Sequence, residues 1–158
     1  MNPTRILLLR HAEKTGDKDD MHLSADGAAR ATRLADYIPA TFGTPQFLIA
    51  TAVSKHSMRP IETLAPLANK LGTVPFTHNR QDYDTTGLAN ELLLDERYLG
   101  ALIVVCWHHG TLPALAQALG APVDTFPGVW DDGVFNLILD LKYIGGAVPA
   151  VARVMQPF

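Results

Sequence analysis

Short, nearly continuous apolar runs alternate along this chain with longer stretches in which apolar residues recur every three or four positions. The runs predict β-strands, and the first and third are apolar enough to be covered on both faces of a sheet. A proline in the last run favours an edge position for that strand. The predicted strands are residues 5–9, 47–51, 101–107, 134–141 and 147–155, with 72–76 as a further short candidate.

The intervening stretches have the periodicity of amphipathic helices. Ser24 is the predicted N-cap of the first helix. A second helix is predicted from Ser57 to Gly72, with a kink or a division into two parts at Pro66. Residues 86–98 and 111–119 are also predicted to be helical. In the first helix the predicted buried face consists of Ala28, Ala31, Leu34, Ala35 and Ile38.

Strands that alternate with helices indicate an α/β fold, here a three-layer sandwich with a mostly parallel central sheet. We find no internal repeat and no linker, so residues 1–158 are interpreted as a single domain. Ligands of open α/β sheets bind outside the carboxyl ends of the strands. The residues that directly follow each strand are therefore the first candidates for function.

Composition and charge narrow the classes of function. A formal net charge of −3 provides no overall field that favours nucleic acid or an anionic membrane, and no apolar run approaches the ~20 residues of a membrane span. The single cysteine, Cys106, excludes an intramolecular disulfide, and the N-terminus has no signal-peptide pattern. We therefore expect a cytoplasmic protein that binds neither nucleic acid nor membrane, and the oligomeric state stays open.

Three predicted strand ends carry residues that can bind an anion. Arg10 and His11 end the first run, Arg59 begins the helix after the second, and His108 ends the run at 101–107. Each alone is as well explained by an ordinary structural role. Together at one sheet edge they predict a phosphate pocket, because guanidinium groups fit phosphate oxygens and a neutral imidazole is a nucleophile. His108 and its neighbour His109 point opposite ways in extended chain, so no metal site is predicted.

The same segments resemble the histidine phosphatase superfamily, in its phosphoglycerate mutase-like branch 1 and its short, single-domain phosphatase type. The likeness covers about the first 140 residues in the family's order. It rests on the Arg-His signature, a helix start, an arginine segment, a second histidine motif and a late tryptophan. In that order these are LLLRHAEK (7–14), LSADGAARA (23–31), SKHSMRPIETLAPLANKLG (54–72), VVCWHHGTLPAL (104–115) and GVWDDGVFNLILDL (128–141).

The resemblance implies a phosphoric monoester hydrolase with a phosphoglycerate mutase-like fold and no cofactor. His11 would attack phosphorus and become a phosphohistidine, while Arg10, Arg59 and His108 would bind the phosphoryl oxygens. The implied substrates are a phosphorylated small molecule or a phosphoprotein that carries a phosphomonoester or phosphohistidine. A His-Gly spacing would select His109 as the second histidine, but the spacing to Thr-Leu and the closeness to the strand end favour His108, which we prefer.

The acid that protonates the leaving group stays open among Asp82, Asp84 and Glu13, with Asp82 as the first choice. The Glu- and Gly-rich segment of the mutase-like members is missing here, so a phosphomutase is the less favoured activity. Because the acid is open, a function of another class also stays open. This is a non-catalytic module that binds phosphorylated ligands, or a scaffold, and keeps the phosphate pocket without turnover.

Overall fold

Six strands and four helices make up the protein in a computed structural model that describes residues 2–125 and 129–158. Gly128, the first residue of the tryptophan segment, lies outside the described residues. The elements are β1 (Arg5–Arg10), α1 (Ala25–Phe42), β2 (Phe47–Thr51), α2 (Arg59–Leu71), β3 (Phe76–Arg80), α3 (Thr85–Leu94), β4 (Leu102–Trp107), α4 (Leu112–Ala118), β5 (Leu137–Lys142) and β6 (Ala150–Met155). Short 3-10 turns span Glu96–Tyr98 and Val123–Thr125.

The strands form one sheet in the order β3-β2-β4-β1-β5-β6. The first four of these are mutually parallel, β5 is antiparallel to β1, and β6 is antiparallel to β5. Helices α1 and α2 pack together over one face, and α3 and α4 pack together over the other. Leu7 and Leu9 belong to the apolar cluster beneath α1 and α2, whereas Ile6 and Leu8 belong to the opposite cluster. The predicted α/β class with a mostly parallel sheet is confirmed.

Three strand predictions are wrong in their bounds. The candidate strand at 72–76 is displaced, because Gly72 ends α2 with a φ of 70° and β3 begins only at Phe76. The strand predicted at 134–141 begins at Leu137, since residues 131–134 form a turn in which the Val134 amide donates to the Asp131 carbonyl. The strand predicted at 147–155 is an edge strand as expected, β6, but it begins only at Ala150.

The helix predictions need two corrections. Ser24 caps α1 as predicted, with its hydroxyl accepting from the Gly27 amide, but the buried face holds Gly27 instead of Ala28, which is exposed. Helix α2 continues through Pro66 as one element, so the predicted division into two parts is wrong. In the part of the chain that the structure describes, no helix combines the length and the apolar character needed to cross a bilayer.

The parallel register places the candidate residues side by side. Arg10 is the register partner of Trp107, and the His11 amide donates to the Trp107 carbonyl at 3.1 Å. β4 lies between β1 and β2 and is parallel to both, so the residues that follow these three strands lie together beyond their carboxyl ends. The candidate site is at this end of the sheet.

Candidate active site

Two histidines face each other where β1 and β4 end. The rings of His11 and His108 have centroids 5.3 Å apart and are inclined by 70°. His11 is 2% exposed, and His108 Nε2 lies 3.4 Å from Thr51 Oγ1 at the end of β2. The three strand ends thus contribute to one site.

A carbonyl contact sets the tautomer of His11. Its Nδ1 lies 2.6 Å from the Ala12 carbonyl oxygen, which can only accept, so the proton of the neutral ring is on Nδ1. The lone pair is then on Nε2. The pKa of His11 is lowered to about 3, chiefly by burial and in part by His108, Arg10 and Arg59, while the hydrogen bond to the Ala12 carbonyl opposes the shift. Burial likewise lowers the pKa of His108 to about 4.

Both rings are therefore neutral at physiological pH in the unliganded protein. Their low pKa values make the free energy of unfolding depend on pH. The folded-state pKa values lie below the ordinary value of 6.5, so the unfolded chain binds more protons between about pH 6.5 and 4. We expect the free energy of unfolding to fall as the pH is lowered through this window. His11 alone contributes at most about 1.4 kcal/mol per pH unit. Urea unfolding at a series of pH values measures the slope.

His11→Asn removes one of these titrations and should flatten that slope. The matched control is His78→Ala, a substitution at an exposed position on β3, which should leave the slope unchanged. An equally steep slope in His11→Asn would contradict a buried neutral His11.

Arg59 stands in the first turn of α2 and is held from three sides. Its amide donates to Ser57 Oγ at 3.1 Å, its Nη1 donates to the Asp20 carbonyl at 2.8 Å, and its carbonyl accepts from Thr63 Oγ1 at 2.7 Å. The Thr63 hydroxyl oxygen in turn accepts from the Ala12 amide at 2.9 Å. One threonine therefore joins the arginine's helix turn to the residue next to His11.

Arg10 is 1% exposed and lies against a different loop. Its Nη1 donates to the Asp132 carbonyl at 2.5 Å, its Nη2 donates to Asp132 Oδ1 at 3.1 Å, and its guanidinium stacks on Phe135 at 3.9 Å from the ring centroid. Burial lowers the pKa of Arg10, and the charge of Arg59 lowers it further. A guanidinium stays protonated all the same, so a positive charge is buried here.

Both arginines have a buried donor atom that the described residues leave unpaired. The Nε atoms of Arg10 and Arg59 have no hydrogen-bond partner within residues 2–125 and 129–158. Unpaired buried donors are costly, so native proteins usually satisfy them. We call Arg10, His11, Arg59 and His108 the central cluster. Its two cations, two neutral imidazoles and two unpaired donors suit a phosphoryl group.

A pocket of about 350 Å³ opens beside the central cluster on the Arg59 side. Arg59 and His108 line it together with polar groups that include Thr51, Ser54, Ser57 and Asp82. Asp82 is half-buried, and its backbone carbonyl accepts from the buried Trp107 indole at 2.9 Å. Its negative charge also acts on His108, whose pKa it raises against the effect of burial.

The other two candidate acids are engaged elsewhere. Glu13 accepts from Arg30 Nε with both carboxylate oxygens, at 2.9 and 3.0 Å. Asp84 caps α3 by accepting from the Gly87 amide and forms an ion pair with Arg80 at 2.5 Å. Of the three carboxylates, only Asp82 lines the pocket beside His108.

The second histidine of the pair points to another neighbour. His109 Nε2 lies 3.4 Å from Asp132 Oδ1, and His109 lines a separate pocket. The geometry thus favours His108 over His109 as the histidine beside His11. The sequence reasoning missed Asp132 and Phe135, which contact Arg10 from a loop more than 120 residues away, and no spacing pattern connects them to it.

Comparisons with known proteins identify the fold. No family model matches the chain, and no curated protein matches it in sequence. A candidate phosphohistidine phosphatase, SixA from Agrobacterium tumefaciens, matches with a TM-score of 0.66 at 17% identity, over 96% of this chain and 98% of the other. A mycobacterial glucosyl-3-phosphoglycerate phosphatase matches with 0.64 at 16% identity, over 97% and 98%.

A third similar structure is the protein histidine phosphatase SixA in complex with tungstate. It matches with a TM-score of 0.59 at 12% identity, over 96% of both chains. These proteins belong to the histidine phosphatase superfamily. The chain therefore has the histidine phosphatase fold, as the sequence resemblance predicted, and the likeness at this identity concerns the fold alone.

Proposed function

We propose that this chain, which has the histidine phosphatase fold, is a phosphatase that hydrolyses a phosphomonoester or phosphohistidine through a phosphohistidine on His11. The observation that carries the proposal is the central cluster itself. It places a neutral, buried imidazole with its lone pair on Nε2 beside two guanidinium groups, each with an unpaired Nε. Known histidine phosphatases with the same fold support the reaction class.

In the proposed first step, His11 Nε2 attacks phosphorus, and the bond from phosphorus to the leaving group breaks. Arg10, Arg59 and His108 bind the three phosphoryl oxygens and stabilise their charge, which is the main requirement of phosphoryl transfer. Asp82, in its protonated form, gives a proton to the leaving group and becomes a carboxylate. Water then attacks phosphorus and gives a proton back to Asp82, the bond between phosphorus and His11 Nε2 breaks, and inorganic phosphate and the neutral His11 are released.

The substrate is proposed to be a phosphorylated small molecule or a phosphoprotein. The pocket on the Arg59 side is open and lined by hydroxyl groups and Asp82, so a leaving group that forms hydrogen bonds fits it. No organic cofactor or metal ion takes part in the proposed steps.

Trapping of the intermediate tests the proposal. The protein is mixed with an excess of p-nitrophenyl phosphate, quenched within milliseconds at alkaline pH, and digested for mass spectrometry. We expect phosphate on His11 and steady release of p-nitrophenol. An activated aryl leaving group needs little protonation, so an inefficient acid cannot hide the chemistry. Binding of orthovanadate without turnover or trapping would instead identify a module that only binds phosphorylated ligands.

Asp82→Asn tests the proposed acid. Loss of the proton donor should slow hydrolysis of an alkyl phosphate, whose leaving group is basic, by about a hundredfold, while p-nitrophenyl phosphate slows by less than about threefold. Steady-state kinetics on both substrates measure the difference. Asp84→Asn keeps the helix-capping oxygen and is the matched control, with no substrate-dependent effect expected. An equal loss on both substrates would remove Asp82 from the role of acid.

A further inference from the structure

The carboxylate of Asp132 lies among three cationic or potentially cationic side chains, two from the segment that ends β1 and one from the residues that follow β4. Its Oδ1 is 3.1 Å from Arg10 Nη2, 3.4 Å from Lys14 Nζ and 3.4 Å from His109 Nε2. We call Arg10, Lys14 and His109 the rim cluster. The Asp132 side chain is 66% exposed, so its charge faces solvent at the entrance to the site.

The position of this loop does not depend on the Asp132 charge. Arg10 also donates to the backbone carbonyls of Asp132 and Val134, at 2.5 and 3.4 Å, and stacks on Phe135. Asp131 Oδ1 accepts from the Gly133 amide at 2.8 Å and closes the turn. The Asp132 carboxylate can therefore be neutralised while the loop stays in place.

The rim cluster borders the central cluster on the side away from the larger pocket. Arg10 belongs to both clusters, His109 follows His108, and Phe135 contacts Arg10 while its ring centroid lies 6.2 Å from that of His11. A second pocket of about 220 Å³ opens here, lined by residues that include His109, Trp130 and Asp132.

We propose that Asp132 determines the charge selectivity of the site by acting as an internal counter-anion for the rim cluster. The inference rests on the proposed function. In the native protein the Asp132 carboxylate offsets one of the two permanent positive charges of the rim cluster, those of Arg10 and Lys14. A second anionic group on the substrate therefore gains little there and is repelled by the Asp132 carboxylate. Phosphorylated compounds with an uncharged leaving group are then preferred. Without the Asp132 charge, the rim cluster becomes a second subsite for a carboxylate or phosphate.

Equilibrium binding of a matched ligand pair tests this inference. 3-Phosphoglycerate has a carboxylate at the position where glycerol 3-phosphate has a hydroxymethyl group. Inorganic phosphate serves as the reference ligand. We expect Asp132→Asn to raise the affinity for 3-phosphoglycerate relative to that for glycerol 3-phosphate by about fivefold. The reason is that the substitution removes the repulsion between two negative charges, which is worth about 1 kcal/mol in water at a separation of about 4 Å. Isothermal titration calorimetry on the unmodified protein and the variants gives the ratio.

Two further variants make the test specific. Asp131→Asn removes the same charge from the same loop and keeps the acceptor for Gly133, but its carboxylate does not bridge the rim cluster, so the ratio should change by less than about twofold. Lys14→Met added to Asp132→Asn should reverse much of the gain. Asparagine at 132 keeps an acceptor for Arg10 on an exposed side chain, so the fold is preserved.

Each outcome decides the inference. An unchanged ratio in Asp132→Asn, or an equal change in Asp131→Asn, overturns it, and binding of inorganic phosphate would then show that the phosphate pocket itself stands. Failure of the unmodified protein to bind inorganic phosphate overturns the proposed function as well.

Discussion

Replacement of His11 by alanine is expected to lower the turnover of p-nitrophenyl phosphate by at least about a thousandfold and to abolish the trapped phosphoenzyme. The reason is that a nucleophilic mechanism loses its covalent intermediate with the attacking atom, and the remaining groups can only polarise the phosphate. Initial rates together with mass spectrometry of quenched samples measure both effects. Binding of inorganic phosphate should persist, because Arg10, Arg59 and His108 remain.

The control for this prediction is His78→Ala, which removes a histidine from the exposed strand β3 and should retain full activity. Circular dichroism of His11→Ala checks that the loss is chemical. Near-normal turnover in a folded His11→Ala protein would mean that another group attacks phosphorus.

Replacement of Arg59 by alanine is expected to weaken orthovanadate and phosphate binding by about 10- to 100-fold. Loss of one charge-assisted hydrogen-bonding group corresponds to about 1.5–3 kcal/mol. Turnover should fall further than binding, because charge on the phosphoryl oxygens is stabilised most in the transition state. Calorimetry and steady-state kinetics separate the two effects.

Arg33→Ala is the matched control for Arg59, since Arg33 is an exposed arginine on α1. It should change neither vanadate affinity nor kcat. Arg59→Lys should recover part of the affinity, because a lysine keeps the charge but loses the planar fork of donors. Unchanged vanadate affinity in Arg59→Ala would exclude the guanidinium from the phosphate pocket.

The hydrophobic pattern predicted the centre of the sheet better than its edges. β1 and β4 are covered on both faces, so their apolar runs coincide with the strands to within one residue. β3 is an edge strand with largely exposed polar side chains, and its sequence FTHNR has no apolar run to reveal it. The apolar residues Val134 and Phe135 extended the predicted β5, but they lie in the loop around Arg10, where the Phe135 ring stacks on the guanidinium and the Val134 backbone carbonyl accepts from it.

The closeness of His11 and His108 was predictable because each directly follows a strand and β1 and β4 lie side by side, whereas Arg59 begins the helix after the neighbouring β2. The order of the strands and their parallel direction were sufficient to predict that His11, Arg59 and His108 lie beyond the carboxyl ends of neighbouring strands. Asp132 could not be predicted in the same way. Its contact with Arg10 spans 122 residues and depends on the path of a loop, which no short-range pattern records.

The hydroxyl of Thr63 makes the local opening of the site measurable by hydrogen exchange. It accepts from the Ala12 amide and donates to the Arg59 carbonyl, so it joins the loop after β1 to the first turn of α2 across 51 residues of sequence. The Ala12 amide is buried and can exchange its proton with solvent only when these two segments separate. Its hydrogen exchange rate therefore reports the free energy of opening the phosphate pocket, separately from global unfolding.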